Sequence, residues 1–481
     1  MSDDIAYLTA TELVENYRAR KLSPVEATRA VLARVDALNP VFNAFCVLDP
    51  DRALADARQS EQRWQRNEPL GAVDGVPTTV KDLILAKGWP TRRGSKTVDP
   101  AQAWEEDGAP VARLRERGAV LLGKTATPEF GWKGVTDSAL TGITRNPWDQ
   151  RLTPGGSSGG AAVCAALGMG PLHVATDGGG SIRIPAAFCG VFGFKPTWGV
   201  VPVHPHSPAW TLWHQGPLVR TVEDAALMLS VISKPDSRDW YAPPSQDIDY
   251  RKQIDGGIEG WRIAYSRTLG YANMDREVAA LVEKALEKFA DLGASIEIVD
   301  LKLPDPIDIM QPLWAVALAL AVAPMTPQQR ALVEPGLLAV AEPAFKMSAI
   351  EYRQVEKARE AFGRRMNGLH AQYDLLVTPQ MPITAFEAGH EVPPEGSRRR
   401  WWEWSPFTYP FNLTQQPAAS VPCGFDSKGL PVAMQLIGAK FADARVLRAA
   451  RAFESAMPFR MPREAERQLL PPSARERQIQ E

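Results

Sequence analysis

Apolar positions recur at helical spacing through the first part of the chain. Thr9 and Thr11 can cap a helix running through Ala19, and Ser23, Pro24 and Glu26 supply a cap, a proline at the first helical position and an acidic first turn. Ala27, Val31, Leu32, Val35 and Leu38 follow on one face, and Pro50 with Asp51 opens another helix whose outer face is acidic and arginine-rich. Residues 9–67 therefore read as a helical segment. The texture then changes to short β-branched runs: residues 75–84, with Lys81 inside, and residues 119–125, preceded by a helix over 108–117. Further on, residues 192–195 follow a glycine-rich stretch, a helix covers 221–233, and 234–249 read as a Pro/Ser/Asp-rich surface excursion. Residues 261–266, 275–291 and 295–300 read strand, helix, strand, which packs helices on a sheet. Residues 306–372 are mainly helical, 373–378 form a buried strand candidate, and 385–412 are loop-like and aromatic. A hairpin-like pair, 418–425 and 431–438, precedes a closing helix over 442–456. Strands spread from end to end predict an α/β fold with a single large mixed β-sheet core covered by helices on both faces. One domain is expected over 1–460, followed by a polar tail over 461–481.

Composition narrows the class. With 481 residues, 45% hydrophobic and 23% charged, the chain has the make-up of a globular protein with a large core. A net charge of −2 gives no electrostatic reason to expect nucleic acid or a membrane surface. Cys46, Cys164, Cys189 and Cys423 show neither metal spacing nor a disulfide framework, which suits a reducing, cytoplasmic setting. The N-terminus lacks a signal-peptide core. The longest apolar run, 313–323 between Pro312 and Pro324, is too short to span a bilayer and reads as a buried helix.

The candidate chemistry lies between residues 153 and 185. Two glycine-framed serine loops stand there, Gly155-Gly156-Ser157-Ser158-Gly159-Gly160 and Gly178-Gly179-Gly180-Ser181, with small residues between them. Glycine admits φ > 0 and close approach of other groups. Successive N–H groups of Gly178, Gly179, Gly180 and Ser181 can converge on one cavity and stabilise a tetrahedral oxyanion beside a serine nucleophile. None of the six histidines stands in a triad order with a carboxylate. A lysine whose pKa is lowered by burial can act as base instead. Lys81 is the best placed, and Lys124 is its rival. Read singly, Ser181 is a turn serine, Ser157 a helix cap and Lys81 a strand-edge lysine. Asp177 and Arg183 bracket Ser181 and read as a structural ion pair or loop anchor. Cys189 reads as core, and Arg398 to Arg400 as a solvated loop.

The combination of GGSSGG, a following D-x-G-G-S-I-R-x-P block and an upstream V-K-D lysine resembles the amidase signature family. Ser157 and Ser181 are 24 residues apart, the spacing associated with that family. The resemblance spans most of the chain and is weakest over 235–370. It implies a Ser–cisSer–Lys triad. Ser181 would be the nucleophile, Ser157 the proton relay held by a cis peptide with Gly156 or Ser158, and neutral Lys81 the base. Gly178, Gly179 and Gly180 would form the oxyanion hole. Ser158 would hydrogen-bond Lys81 or cap the helix starting at Gly159. The family commonly carries Thr or Ile where this chain has Gly178, which implies a more flexible loop and a roomier pocket. The expected function is hydrolysis of a small, apolar or aromatic amide to carboxylate plus ammonia or amine through a Ser181 acyl-enzyme, with no cofactor and no metal. Trp132, Trp210, Trp404 and Phe407 are the expected pocket residues, although the aromatic stretch 401–411 reads equally as core. Two alternatives stand beside this: the glutamine-hydrolysing component of a tRNA-dependent Glu/Asp amidotransferase, and a non-enzymatic protein that binds a ligand on its glycine-rich loops. The expected partner is a small-molecule amide, not nucleic acid or membrane, with a homodimer left open.

Overall fold

The computed structural model describes residues 2–244 and 247–463, and among them eleven strands form one mixed sheet. In chain order the strands are β1 (Phe45–Leu48), β2 (Pro77–Lys81), β3 (Val120–Thr125), β4 (Asp137–Ser138), β5 (Gly142–Ile143), β6 (Leu172–Asp177), β7 (Phe192–Lys195), β8 (His214–Val219), β9 (Arg262–Tyr265), β10 (Ser295–Ile298), β11 (Leu375–Pro379), β12 (Ala418–Phe425) and β13 (Pro431–Ile437). β4 and β5 make a separate ribbon. The order across the large sheet is β1-β3-β2-β6-β8-β7-β12-β13-β11-β9-β10. β2 runs parallel to β3 and β6, and β9 runs parallel to β10 and β11. The other neighbours are antiparallel.

Side chains along a strand alternate between faces, and here both faces are buried. Leu121 joins one apolar cluster while Val120 and Leu122 join another. Leu375 and Val377 face the first cluster and Leu376 a further one. The first cluster is covered by helices Val222–Ile232, Arg276–Asp291 and Asp443–Ala456. Helices Pro24–Phe42 and Gly159–Ala166 cover part of the opposite face. The expected sheet with helices on both faces is therefore present.

The N-terminal helices begin where their caps predict. Thr9 Oγ1 accepts the Glu12 N–H at 3.0 Å, and Ser23 Oγ accepts the Glu26 N–H at 3.2 Å while the Glu26 carboxylate accepts the Ser23 N–H. The reading of 9–67 as wholly helical needs correction, because β1 lies within it and pairs with β3 at the sheet edge. Residues 214–219 also form a central strand, where Gly216-Pro217 had given no strand signal. Gly216 is required there: a Cβ on it would sit 2.3 Å from the Phe194 carbonyl oxygen. Helix Ile307–Val322 carries Pro312 inside it rather than at its start. No helix among the described residues is long and apolar enough to cross a membrane. Residues 464–481 of the expected tail lie outside the described residues.

Two glycine substitutions separate packing from propensity. Gly216→Ala is expected to lower the melting temperature by several degrees, because backbone cannot yield as a side-chain tip can. Gly363→Ala, inside helix Ala349–Leu369 with nothing within 4 Å of the new Cβ, is expected to be stabilising by up to about 1 kcal/mol. Thermal melts of both variants check the contrast.

Candidate active site

β2 and β6 are parallel neighbours, and Lys81 and Asp177 stand at their C-terminal ends. Lys81 is fully buried, and its Nζ lies 2.7 Å from Ser157 Oγ, 2.8 Å from Ser158 Oγ and 2.9 Å from Thr176 Oγ1. No carboxylate pairs with it among the described residues. Burial drives its pKa well below the usual lysine value, and the charge of Asp177 opposes this only in part. Lys124, the rival base, is committed elsewhere. It is ion-paired with Asp82 at 3.0 Å and hydrogen-bonds Thr91.

The Gly156–Ser157 peptide is cis. Gly156 packs so closely on Val135 that a Cβ would lie 2.4 Å from the Val135 carbonyl oxygen. Ser158 stands at the cap position of helix Gly159–Ala166 but makes no side-chain capping bond. Its hydroxyl instead donates to the Thr176 carbonyl at 3.1 Å and faces Lys81, so of its two expected roles the contact with lysine is the one present. Ser158 N–H donates to the Ser181 carbonyl at 3.2 Å, which ties the two loops together.

The second loop is folded around a carboxylate. Asp177 Oδ1 accepts the Gly180 N–H at 2.7 Å and Oδ2 accepts the Ile182 N–H at 3.1 Å. Arg183 closes the ring with two bonds to Asp177, both 2.9 Å, and reaches on to Gln435, Asn412 and the Thr408 carbonyl. Burial alone would raise the Asp177 pKa, but Arg183, with smaller help from Lys195 and Asn412, holds it well below the ordinary carboxylate range. The three glycines expected to form the oxyanion hole differ in what their N–H groups meet. The Gly180 N–H is occupied by Asp177, whereas the N–H groups of Gly178, Gly179 and Ser181 have no partner among the described residues. Ser181 is 8% exposed against 1% for Ser157 and none for Lys81, so of the three it is the one a ligand can reach.

A cavity of about 90 Å³ has walls that include residues packed close to both loops. Leu83, Phe130, Trp213, Gln215 and Trp314 are among its walls. Leu83 and Ser157 flank the same point above Gly131, while Trp213 and Trp314 flank Gly178. The expected extra room beside Gly178 is absent, because the Trp314 ring approaches within 2.9 Å of where a Cβ would stand. The four expected pocket aromatics do not line this cavity. Trp132 is buried and donates through Nε1 to Glu334, and Trp404 is fully buried and stacks on Phe188. Phe407 lies in a separate core cluster, and Trp210 is on the surface against Tyr241. Large rings in one sequence segment were drawn into the interior behind the site rather than onto its wall. Trp401, for example, packs against the back of Gly179.

Residues that sequence reasoning missed complete the frame. Thr176 precedes the motif aspartate and had no separate signal. Thr408 donates to the Gly179 carbonyl, and Asn412 Nδ2 donates to Asp177 Oδ1 at 2.8 Å. Both were hidden in the aromatic stretch. Cys189 is buried, and burial pushes its thiol pKa up, as a core cysteine requires. Among the described residues no group of side chains is suited to hold a metal ion.

The family model for amidases matches residues 26–447. An acylamidase of Rhodococcus erythropolis is 36% identical over 95% of this chain and 97% of its own length. A glutamyl-tRNA(Gln) amidotransferase subunit of Chloroflexus aurantiacus is 34% identical over 94% of this chain and 97% of its own. Among solved structures, a bacterial aryl acylamidase of the amidase signature family superposes with a TM-score of 0.89 at 31% identity, covering 95% of this chain and 98% of that one.

The buried ion pair gives a stability prediction. Arg183→Met strands the Asp177 charge in the interior and is expected to cost roughly 3–5 kcal/mol. The pair Arg364–Glu360 is 70% and 64% exposed, and its removal should be nearly neutral. Denaturant unfolding of both variants measures the difference.

Proposed function

Because the chain belongs to the amidase family, we propose that its hydrolysis of a carboxamide C–N bond runs through an acyl-enzyme on Ser181, with Ser157 and Lys81 moving the proton. The observation that carries this reading is the Lys81 amine, buried among three hydroxyls with no counter-ion among the described residues. A neutral amine has two N–H donors and one lone pair. The Ser158 proton is engaged by the Thr176 carbonyl, so Ser158 accepts from Lys81, and Thr176 Oγ1 can take the second donor. The lone pair is then free for the Ser157 proton. Ser181 Oγ attacks the amide carbon as its proton passes to Ser157 Oγ and the Ser157 proton passes to Lys81 Nζ. The free N–H groups at Gly178, Gly179 and Ser181 stabilise the resulting oxyanion. On collapse the ammonium returns its proton through Ser157 to the leaving nitrogen, the C–N bond breaks, and water repeats the sequence on the ester. Arg183 and Asp177 hold the loop and take no part in proton transfer.

The substrate in this reading is a small amide with an apolar or aromatic body. Support comes from the walls Leu83, Phe130, Trp213 and Trp314 and from the likeness to acylamidases. Four cysteines, all free thiols, favour a cytoplasmic setting. The amidotransferase relative supports a second reading, glutamine hydrolysis within a complex. Glutaminase activity that appears only with a partner protein would favour it.

Ser181→Ala is expected to reduce anilide turnover by several powers of ten with the fold unchanged by circular dichroism. Turnover near that of the wild type would sink the mechanism. Lys81→Ala should be as damaging for amides but milder for activated esters, whose leaving groups need less protonation. Equal losses on the two substrates would make Lys81 structural.

A further inference from the structure

We infer that the substrate of this site carries a carboxylate, bound by Arg93 at the wall of the cavity. The inference rests on the amidase reading for the location of the reacting bond, and on independent features for the charge. Arg93 lines the same cavity as Leu83, Trp213 and Trp314. Its backbone has φ +57°, a conformation that side-chain-bearing residues rarely adopt unless surrounding structure imposes it. Here the imposing contacts are visible. The Arg93 carbonyl accepts the Phe130 N–H at 2.7 Å, and Gly94 N–H donates to Asp82 Oδ2 at 3.2 Å. Gly94 itself, at φ +62°, packs where a Cβ would lie 2.5 Å from the Thr127 carbonyl oxygen. The turn is thus pinned to the segment that runs into Gly131, next to Ser157.

Arg93 is half-buried, and its guanidinium has no hydrogen-bond or ion-pair partner among the described residues. Burial lowers its pKa, and Asp82 only partly restores it. Asp82 is already claimed by Lys124, so the local sum of Arg93, Lys124 and Asp82 leaves one positive charge unbalanced. Asp99, Glu105 and Glu106 border a second groove that Arg93 also lines, and none of them forms an ion pair with it; Glu106 meets His204 instead. Gln215 supplies a second unsatisfied group on the cavity wall, since its Oε1 is buried without a partner among the described residues. It sits opposite Thr176 in the β6–β8 register, at the lysine end of the site. Apolar walls with an amide at one point and a guanidinium at another fit a short apolar amide ending in a carboxylate. The planar fork of arginine matches that group with two parallel hydrogen bonds.

Matched anilides of a straight-chain monoacid and of the corresponding diacid, one carboxyl left free, test this. Wild-type kcat/KM should be at least about ten-fold higher for the carboxylate-bearing member, mostly through KM. That ratio should fall toward one in Arg93→Gln, be partly kept in Arg93→Lys, and shift in Arg93→Glu toward an anilide ending in an ammonium group. Calorimetric binding of the uncleaved pair to Ser181→Ala, with and without Arg93→Gln, supplies a readout that does not need turnover. Arg93-dependent binding of the carboxylate without hydrolysis by the wild type would uphold the carboxylate site while overturning the amidase reading. Hydrolysis of both anilides with no carboxylate preference, or a preference unchanged in Arg93→Gln, would overturn the Arg93 assignment.

Discussion

The arrangement depends on keeping a lysine amine out of water without giving it a counter-ion. An ammonium at Lys81 would lose its hydration and gain only three hydroxyls in return. The nearest carboxylate that matters, Asp177, could reverse that balance, and it is prevented from doing so by Arg183, which takes both of its oxygens. The two buried features are therefore coupled. The ion pair satisfies its own charges, shapes the 178–181 loop, and leaves the lysine side of the site favouring the neutral amine.

The glycines serve the same constraint through space. Gly156 lies against Val135 backbone and Gly180 against Thr408, each too close for a side chain. Closeness lets the loops stack so that Ser158 N–H meets the Ser181 carbonyl while Ser181 keeps a small exposed surface. Behind them, Trp401 and Thr408 fill and fasten the rear of the 178–181 loop. Backbone donors held in this way need little reorganisation when charge develops in front of them.

Sequence reading recovered what local chemistry encodes. Caps at Thr9 and Ser23, the short strand-like runs around Lys81 and Val120, and the paired glycine loops all carry signals within a few residues. The two parts it lost depend on distant neighbours. β8 holds Gly216 and Pro217 in a sheet interior because Phe194 and Val174 flank them, which no local pattern announces. β1 is a four-residue edge strand between long helices, too short to break their periodicity. The triad candidates were legible because glycine and serine sit at unusual density, but the bond that Gly180 N–H makes to Asp177 was not, since it depends on how the loop folds around the carboxylate. The aromatic stretch misled because burial, unlike composition, decides whether a ring lines a cavity. Arg93 belongs to no motif, and only the fold brings it to the wall of the cavity.

The central claim is that Lys81 is a neutral base acting on Ser181 through Ser157. The most direct measurement is the rate of Ser181 labelling by a fluorophosphonate reagent as a function of pH, in wild type and in Lys81→Ala. The account predicts a rise in rate governed by one ionisation well below the ordinary lysine value, and loss of that rise in the variant. An inflection at the ordinary lysine pKa, or the same low inflection surviving in Lys81→Ala, would contradict it.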